Sequence, residues 1–248
     1  MKTLKDKIAF VTGGSRGIGA GIAKKLAEEG ANVIITYNNN SLFANQVVSS
    51  IQDNGGKAFA IKVDLTSPNE VEIQLKNIIE EYRKIDILVN NAGYMDTSGT
   101  STDKVSLDVI DNTINTNVRG SFLITQKLMN HISSGGRVIN IASCLNEYVP
   151  GPNLTLYTMS KSAISGFTKG LARDLGSRGI TVNQISPGPI DTDMNPSNGP
   201  SSDFQKNLTV IGKYGKPQDI AEMVSFLCSD KADFITGSNI AVDGGTNI

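Results

Sequence analysis

The sequence predicts a single α/β domain built around an open parallel sheet that is covered by helices on both faces. Short apolar runs alternate with segments of helical spacing, which is typical of parallel strands joined by helical crossovers. These runs are continuously apolar, as expected of strands that are buried on both faces. No linker, internal repeat or change of composition divides the chain, so one domain over residues 1–248 is expected.

Seven strands are predicted in chain order, at residues 7–12, 31–37, 58–63, 85–89, 137–142, 181–185 and 239–242. The first helix ends at Gly30, and a second helix is expected at about residues 41–54. Ser67 as N-cap, Pro68 in the first turn and Glu70 form a capping box that starts a helix reaching about residue 82. Residues 186–202 are long, irregular and rich in Pro, Gly, Ser and Asn, so a substrate loop is expected at about residues 186–210.

Composition and charge exclude several classes of function. Lys and Arg number 23 against 24 Asp and Glu, so no general attraction to nucleic acid or to anionic membranes is expected. No apolar stretch is long enough to span a bilayer and no signal segment is seen, so a cytoplasmic protein is expected. Cys144 and Cys228 are far apart and His131 is the single histidine, which disfavours a metal site and a Ser/His/Asp triad.

A glycine-rich turn, TGGSRGIG at residues 12–19, lies between the first strand and the first helix, where an open parallel sheet has its ligand crevice. Glycines let the backbone approach a pyrophosphate closely, and the free N–H groups of the following helix favour an anion. An ordinary glycine-rich turn is the alternative. The predicted dinucleotide contacts in this turn are Gly13, Ser15, Arg16, Gly17, Ile18 and Gly19.

The ends of the next three strands bear on the choice of dinucleotide. An NAD site usually has a carboxylate after the second strand, whereas residues 36–40 read TYNNN. Arg16, aided by an Asn side chain, can instead bind a 2′-phosphate, so NADP(H) is favoured over NAD(H). A solvated surface charge is the alternative for Arg16, and Asp64 is either an adenine contact or a carboxylate that ends a strand. The further predicted cofactor contacts are Tyr37, Asn38, Asp64, Leu65, Asn91, Ala92 and Gly93.

A phenol and an ammonium are expected on one face of one helix, because Tyr157 and Lys161 are four residues apart in a segment of helical spacing. A neighbouring cation stabilises a phenolate, so Lys161 is expected to lower the pKa of Tyr157. Ser143, after the fifth strand, places a hydroxyl in the same crevice to meet a carbonyl oxygen, or merely ends that strand. Cys144 lines the pocket or is a buried, inert thiol.

These motifs together resemble the short-chain dehydrogenase/reductase family. The glycine turn, NNAG at residues 90–93, Asn117, Ser143, the Tyr157-x-x-x-Lys161 pair and SPGPIDT at residues 186–192 have the order and approximate spacing of that family over essentially the whole chain. The resemblance implies a Rossmann-type, doubly wound, seven-stranded parallel sheet. It also implies a catalytic tetrad of Asn117, Ser143, Tyr157 and Lys161.

The resemblance further implies how these residues act. Tyr157 would be the general acid in carbonyl reduction, Ser143 would bind the substrate oxygen and Lys161 would hold the nicotinamide ribose. Asn117 would keep a proton-relay water in place. Contacts to the nicotinamide end would come from Pro187, Gly188, Ile190 and Thr192. The loop at residues 194–202 is expected to close over the substrate, and a homotetramer is expected.

Three functions stay open from the sequence. NADP(H)-dependent conversion between a small or medium ketone or aldehyde and its alcohol is favoured. A 3-oxoacyl-[acyl-carrier-protein] reductase is the runner-up; Arg178 fits the docking of an acidic carrier, but residues 131–136 read HISSGG where many such enzymes are rich in Lys and Arg. A nucleotide-binding regulatory protein is the third, because residues 189–200 resemble a family branch linked to biofilm regulation.

Overall fold

Seven parallel strands form one sheet in the computed structural model, which describes residues 2–248. The strands are β1 (Ile8–Val11), β2 (Asn32–Tyr37), β3 (Lys57–Lys62), β4 (Ile85–Asn90), β5 (Ile132–Ile141), β6 (Thr181–Pro187) and β7 (Asn239–Val242). Their order across the sheet is β3-β2-β1-β4-β5-β6-β7, and every neighbouring pair is parallel. The predicted seven-stranded parallel sheet is confirmed.

Helices cover both faces of this sheet. In residues 2–248 the α-helices are α1 (Gly17–Glu28), α2 (Ser41–Asp53), α3 (Pro68–Tyr82), α4 (Leu107–Ile114), α5 (Ser121–Leu128), α6 (Thr155–Leu175), α7 (Ser202–Leu208) and α8 (Pro217–Cys228). Side chains of α1, α2 and α8, such as Ile22 and Ile220, enter one buried apolar cluster. Those of α3, α5 and α6, such as Leu75 and Leu171, enter a second cluster. The doubly wound arrangement is therefore confirmed, and no helix in the described chain has the length and apolarity needed to cross a bilayer.

The strand order reverses between β1 and β4, which run side by side with Val11 opposite Val89. In open parallel sheets the ligand crevice lies beyond the carboxyl ends of the strands at such a reversal. The glycine turn follows β1 and the NNAG segment follows β4, so the fold brings these two motifs together at that edge.

Two local features differ from the sequence prediction. β5 begins at Ile132, five residues before the predicted start, because Ile132 pairs with Ile85 of β4. The polar, glycine-containing residues 133–136 form an irregularity in the register, and regular pairing resumes where Arg137 lies opposite Ile87. The capping box of α3 is only half formed. Ser67 Oγ accepts from the N–H of Glu70, but the Glu70 carboxylate accepts from the N–H of Asp64 at 3.0 Å. The N–H of Ser67 already donates to the carbonyl of Asp64, so it is not available to Glu70.

Candidate active site

A cavity of about 530 Å³ opens at the carboxyl edge of the sheet, where β1 and β4 meet. It extends from the end of β2 to the start of α6 and falls in the size range of small-molecule sites. The structure brings most of the predicted site residues to its wall. These are Gly13, Ser15, Arg16, Gly17, Ile18, Gly19, Tyr37, Asn38, Asp64, Leu65, Asn91, Ala92, Gly93, Tyr157, Lys161 and Thr192.

Two glycines of the turn are packed so closely that neither position has room for a side chain. Gly13 has a φ of +65°, and a Cβ there would lie 2.9 Å from the Cα of Ala92. A Cβ on Gly19 would lie 2.3 Å from the carbonyl oxygen of Gly13 and 2.4 Å from Nδ2 of Asn91. Since real Cβ atoms do not approach backbone atoms this closely, residue 19 has to be glycine for the turn to close in this form.

Hydrogen bonds tie the glycine turn to the end of β4. Thr12 Oγ1 accepts from the N–H groups of Asn91 and Ala92, both at 3.0 Å. Asn91 Nδ2 donates to the carbonyl oxygens of Thr12 at 2.9 Å and Gly13 at 3.1 Å. Asn91 therefore holds the turn in shape besides lining the cavity, and its direct contact with a cofactor stays a prediction.

The first turn of α1 faces the cavity with features that fit a phosphate. Arg16 precedes the helix in extended conformation and makes no side-chain cap, and the first turn carries no acidic residue. Uncapped N–H groups and the positive end of the helix dipole both favour an anion. The close-packed glycines and this free helix end fit the pyrophosphate of a dinucleotide.

The wall at the end of β2 and β3 is polar. Thr36 Oγ1 accepts from the N–H of Gly13, and Asn40 caps α2 by accepting from the N–H of Phe43, both at 3.1 Å. Asp64 Oδ1 accepts from the N–H and the hydroxyl of Thr66 at 2.8 Å. Asp64 thus stabilises the turn after β3 while lining the cavity, so the two alternatives drawn from the sequence are compatible.

Tyr157 and Lys161 lie on the same face of α6, as predicted, with the Lys161 Nζ 5.8 Å from the centre of the Tyr157 ring. Lys161 is buried, and its Nζ donates to the carbonyl oxygen of Ile141 at 3.1 Å. A Cβ on Gly93 would lie 3.3 Å from this Nζ. Because an ammonium has three protons and Ile141 takes one, Lys161 retains donors for a group bound in the cavity.

Burial is the main cause of the pKa shifts of Tyr157 and Lys161. Burial raises the pKa of Tyr157 to about 12, with a further rise from Cys144 and an opposing effect of the Ser143 hydroxyl. Burial lowers the pKa of Lys161 to about 8. A lowering of the pKa of Tyr157 by Lys161 is expected from the sequence, but in this structure burial raises that pKa and the opposing effect comes from the Ser143 hydroxyl. At neutral pH the phenol is protonated and able to donate, while the ammonium is mostly charged.

Ser143 lies two residues beyond β5 and is buried. Its Oγ accepts from the N–H of Leu145 at 3.2 Å, and the hydroxyl is close enough to the Tyr157 phenol to lower the phenol pKa. Cys144 is also buried, and burial, with a smaller contribution from Asp243, raises the pKa of its thiol to about 11. A thiol with so high a pKa is a weak nucleophile, which supports the buried, inert alternative.

Asn117 lies in a π-helical turn, Asn115–Gly120, between α4 and α5. Its Oδ1 accepts from the N–H of Tyr94 at 2.7 Å, and its Nδ2 donates to the carbonyl of Tyr94 and to the hydroxyl of Ser160, both at 2.9 Å. The Ser160 hydroxyl in turn donates to the carbonyl of Tyr157 at 2.7 Å. Both amide protons of Asn117 are therefore used to position Tyr94 and α6, and its role with a relay water stays a prediction.

The segment after β6 brings only part of its predicted contacts to the cavity. Thr192 lines it, with its Cγ2 3.3 Å from the position of a Cβ on Gly17. Pro187 pairs with β7, the N–H of Gly188 donates to the carbonyl of Val242, and Ile190 packs in the buried core. The predicted contacts of Pro187, Gly188 and Ile190 with the nicotinamide are therefore not part of the cavity wall.

Several residues of the cavity wall were not predicted as individual contacts, although some of them lie in segments that the sequence indicated, such as residues 36–40 and the substrate loop. The cavity is also lined by Thr36, Asn39, Asn40, Phe43, Val63, Tyr94, Thr116, Ile141, Ala142, Asp193 and Met194. Most of them directly follow a strand or a predicted motif, so a wider window at each strand end would have included them. Ser160 gives no such signal, because its importance comes from its contact with Asn117, 43 residues away in the chain.

Comparisons with known proteins cover nearly the whole chain. Residues 13–247 match the family model described as enoyl-(acyl carrier protein) reductase. The chain is 35% identical over 263 residues to a hydroxynaphthalene reductase-like protein of Metarhizium guizhouense, covering 99% of this chain and 96% of that protein. It is 38% identical over 245 residues to a 3-oxoacyl-[acyl-carrier-protein] reductase of Staphylococcus epidermidis, covering 97% and 98%.

A solved structure agrees closely with the fold. The crystal structure of a short chain dehydrogenase from Burkholderia cenocepacia in complex with NADP has a TM-score of 0.96 and 45% identity, covering 99% of this chain and all of that chain. The similarity extends over every element that contributes to the cavity.

Proposed function

The chain belongs to the short-chain dehydrogenase/reductase family, and we propose that it is an NADP(H)-dependent carbonyl reductase acting on a ketone or on the corresponding secondary alcohol. One observation carries the proposal. A protonated phenol and a mostly charged ammonium lie together in the cavity that also receives the free N-terminus of α1. This combination provides a proton donor beside a dinucleotide site.

We assign the following roles to the chain's own residues. The α1 N-terminus would hold the pyrophosphate of NADP(H) and Arg16 its 2′-phosphate. Lys161 would hold the nicotinamide ribose with the protons that Ile141 leaves free. Bound NADP(H) supplies or accepts the hydride. Tyr157 donates its phenolic proton to the carbonyl oxygen as the alcohol forms, and the hydroxyl of Ser143 holds that oxygen. Asn117, through Ser160, fixes the position of α6.

The environment of Arg178 argues against the acyl-carrier alternative. One guanidinium nitrogen donates to the carbonyl of Met129 at 2.6 Å and the other to the carbonyl of Ile132. Arg178 is therefore engaged with the protein's own backbone and is less available to an acidic carrier. An acyl-carrier-protein thioester stays the runner-up substrate, because the Staphylococcus epidermidis relative is named as a 3-oxoacyl-[acyl-carrier-protein] reductase.

The substrate class can be tested by following NADPH oxidation with small ketones, β-ketoesters and acyl-carrier-protein thioesters. We expect the highest kcat/KM with a free ketone or ketoester. A carrier thioester that exceeds every free substrate at least tenfold would support the runner-up instead. No turnover of any substrate, with NADPH binding intact, would contradict the enzymatic proposal.

Replacement of Arg16 by Ala is expected to weaken the binding of NADPH about tenfold and to leave that of NADH nearly unchanged. The wild-type protein should bind NADPH at least ~10-fold more tightly than NADH, which corresponds to about 1.4 kcal/mol. The reason is that a guanidinium makes charge-assisted hydrogen bonds with a 2′-phosphate and has no such partner in NADH. Titration of both dinucleotides by calorimetry measures this directly. Equal wild-type affinities for the two dinucleotides would refute the cofactor assignment.

Closure of the loop at residues 194–202 remains part of the proposal. Its hydrogen bonds anchor it: Asn195 and Gln205 exchange two amide hydrogen bonds at 2.8 and 2.9 Å, and the Asp191 carboxylate accepts from the N–H of Ser197. We expect proteolysis within this loop to slow when NADPH and a substrate are bound together. Unchanged cleavage would count against a lid.

We also propose that the enzyme is a homotetramer, as the family resemblance implies. Large apolar side chains that are more than half exposed support association through the protein surface. They include Leu107, Phe122, Met159, Phe234 and Ile248. The cytoplasmic location stays a prediction from the sequence.

A further inference from the structure

A carboxylate stands beside the guanidinium to which we assign the 2′-phosphate. Nη1 of Arg16 lies 3.8 Å from Oδ2 of Asp193, and the two side chains are 59% and 62% exposed. Both residues line the cavity. An ion pair this exposed is weak, so a stronger ligand of Arg16 can displace the carboxylate.

The backbone holds Asp193 in this place. Thr192 and Asn195 exchange two backbone hydrogen bonds, at 3.3 and 3.0 Å, and Asp193 lies within the turn that they close. The methyl group of Thr192 faces Gly17 at the start of α1. The carboxylate therefore faces the glycine turn because of the shape of the loop and does not depend on the ion pair alone.

The other charged groups of the cavity wall are engaged elsewhere. Four residues that carry formal charge line it, namely Arg16, Asp64, Lys161 and Asp193. Lys161 is buried deep beside Tyr157 and donates to Ile141, while Asp64 accepts from Thr66. Among the residues that line the described cavity, Arg16 is therefore the exposed positive charge, and the Asp193 carboxylate is the negative charge beside it.

We propose that Asp193 is a specificity-determining residue, which competes with the 2′-phosphate for Arg16 and thereby limits the preference for NADP(H) over NAD(H). This inference rests on the cofactor assignment made above. A dinucleotide with a 2′-hydroxyl can leave the Arg16–Asp193 pair intact. A dinucleotide with a 2′-phosphate has to displace the carboxylate and brings negative charge close to it.

The replacement Asp193→Asn removes the charge and keeps the size of the side chain. We expect the dissociation constant of NADPH to fall about two- to fivefold, the range set by the strength of exposed ion pairs, and that of NADH to stay unchanged. In an Arg16→Ala background, Asp193→Asn should change the dissociation constant of neither NADPH nor NADH. Asp203→Asn is the matched control, because it removes one charge from the same loop region where Asp203 pairs with Lys206.

The test is calorimetric titration with NADPH and with NADH, which measures binding and needs no substrate turnover. It compares the wild type, the two single variants, the double variant and the Asp203→Asn control. Tighter NADPH binding that disappears in the Arg16→Ala background supports the proposal. If the wild type prefers NADPH and Asp193→Asn leaves that preference unchanged or reduces it, this inference is overturned and the cofactor assignment stands. The same holds if Asp193→Asn lowers the dissociation constants of NADPH and NADH equally. If the wild type shows no preference, the cofactor assignment and this inference fail together.

Discussion

Replacement of Tyr157 by Phe is expected to lower kcat for carbonyl reduction by about 10² to 10⁴ while the dissociation constant of NADPH changes less than about threefold. The substitution removes the proton donor and keeps the ring that packs beside Lys161. A positioned general acid typically contributes this factor, which corresponds to roughly 3–5 kcal/mol of barrier. Steady-state kinetics and a separate NADPH titration measure the two quantities.

The matched control is Tyr82→Phe. Tyr82 stacks on Phe59 with ring centres 5.4 Å apart and does not line the cavity, so the same loss of a hydroxyl there should leave kcat unchanged. The result also separates the enzyme from a regulatory protein on the same fold. A regulator would keep its cellular effect when Tyr157 becomes Phe, whereas an enzyme would lose it together with turnover. Unaltered kcat in Tyr157→Phe would remove the phenol from the mechanism.

The parts of the site that lie close together in the sequence were predictable. The glycine turn and the Tyr157–Lys161 pair depend on spacing within one turn or one helix, and the structure places both in the cavity. Asn117, Ser160 and Tyr94 meet only because the fold packs α6 against the π-helical turn and the end of β4. Such contacts depend on tertiary distances that no single sequence window contains.

The pKa of Tyr157 could not be predicted from the sequence. Spacing places a cation near the phenol and so indicates a lower pKa, but it does not tell how much water either group loses on folding. In the structure burial acts on both groups, raising the pKa of Tyr157 and lowering that of Lys161. The same limit applies to β5, because Ile132 pairs with β4 beyond a polar interruption at residues 133–136, and that interruption hides the start of the strand in the sequence.

Replacement of Lys161 by Met is expected to lower kcat/KM by at least about 10² and, at pH 7, to make the folded protein more stable. Activity is lost because the ribose and the phenol lose their neighbouring cation. Stability is gained because Lys161 carries a buried charge whose pKa falls from 10.5 to about 8 on folding, which corresponds to roughly 3 kcal/mol against the folded state. Loss of the hydrogen bond to Ile141 offsets about 1 kcal/mol of that gain, so a net increase of about 2 kcal/mol is expected.

The pH dependence tests the cause of this gain. At pH 7, below the folded-state pKa of about 8, Lys161 is mostly protonated in the folded and in the unfolded state, so most of the cost of burying the charge is present. As the pH rises from about 8 to 10.5, the folded protein releases the proton before the unfolded chain does, and the stability of the wild type therefore rises relative to that of Lys161→Met. Denaturant unfolding at pH 7 and at pH 10 measures both differences in the free energy of unfolding. Lys169→Met, at an exposed position on the same helix, is the control.

Two results would contradict this cause: Lys161→Met being less stable than the wild type at pH 7, or its gain in unfolding free energy not shrinking at pH 10. In either case burial of the ammonium is not what opposes folding. Lys161 would then be retained at no cost in stability, and its place in the active site would have to be explained without a trade between stability and activity.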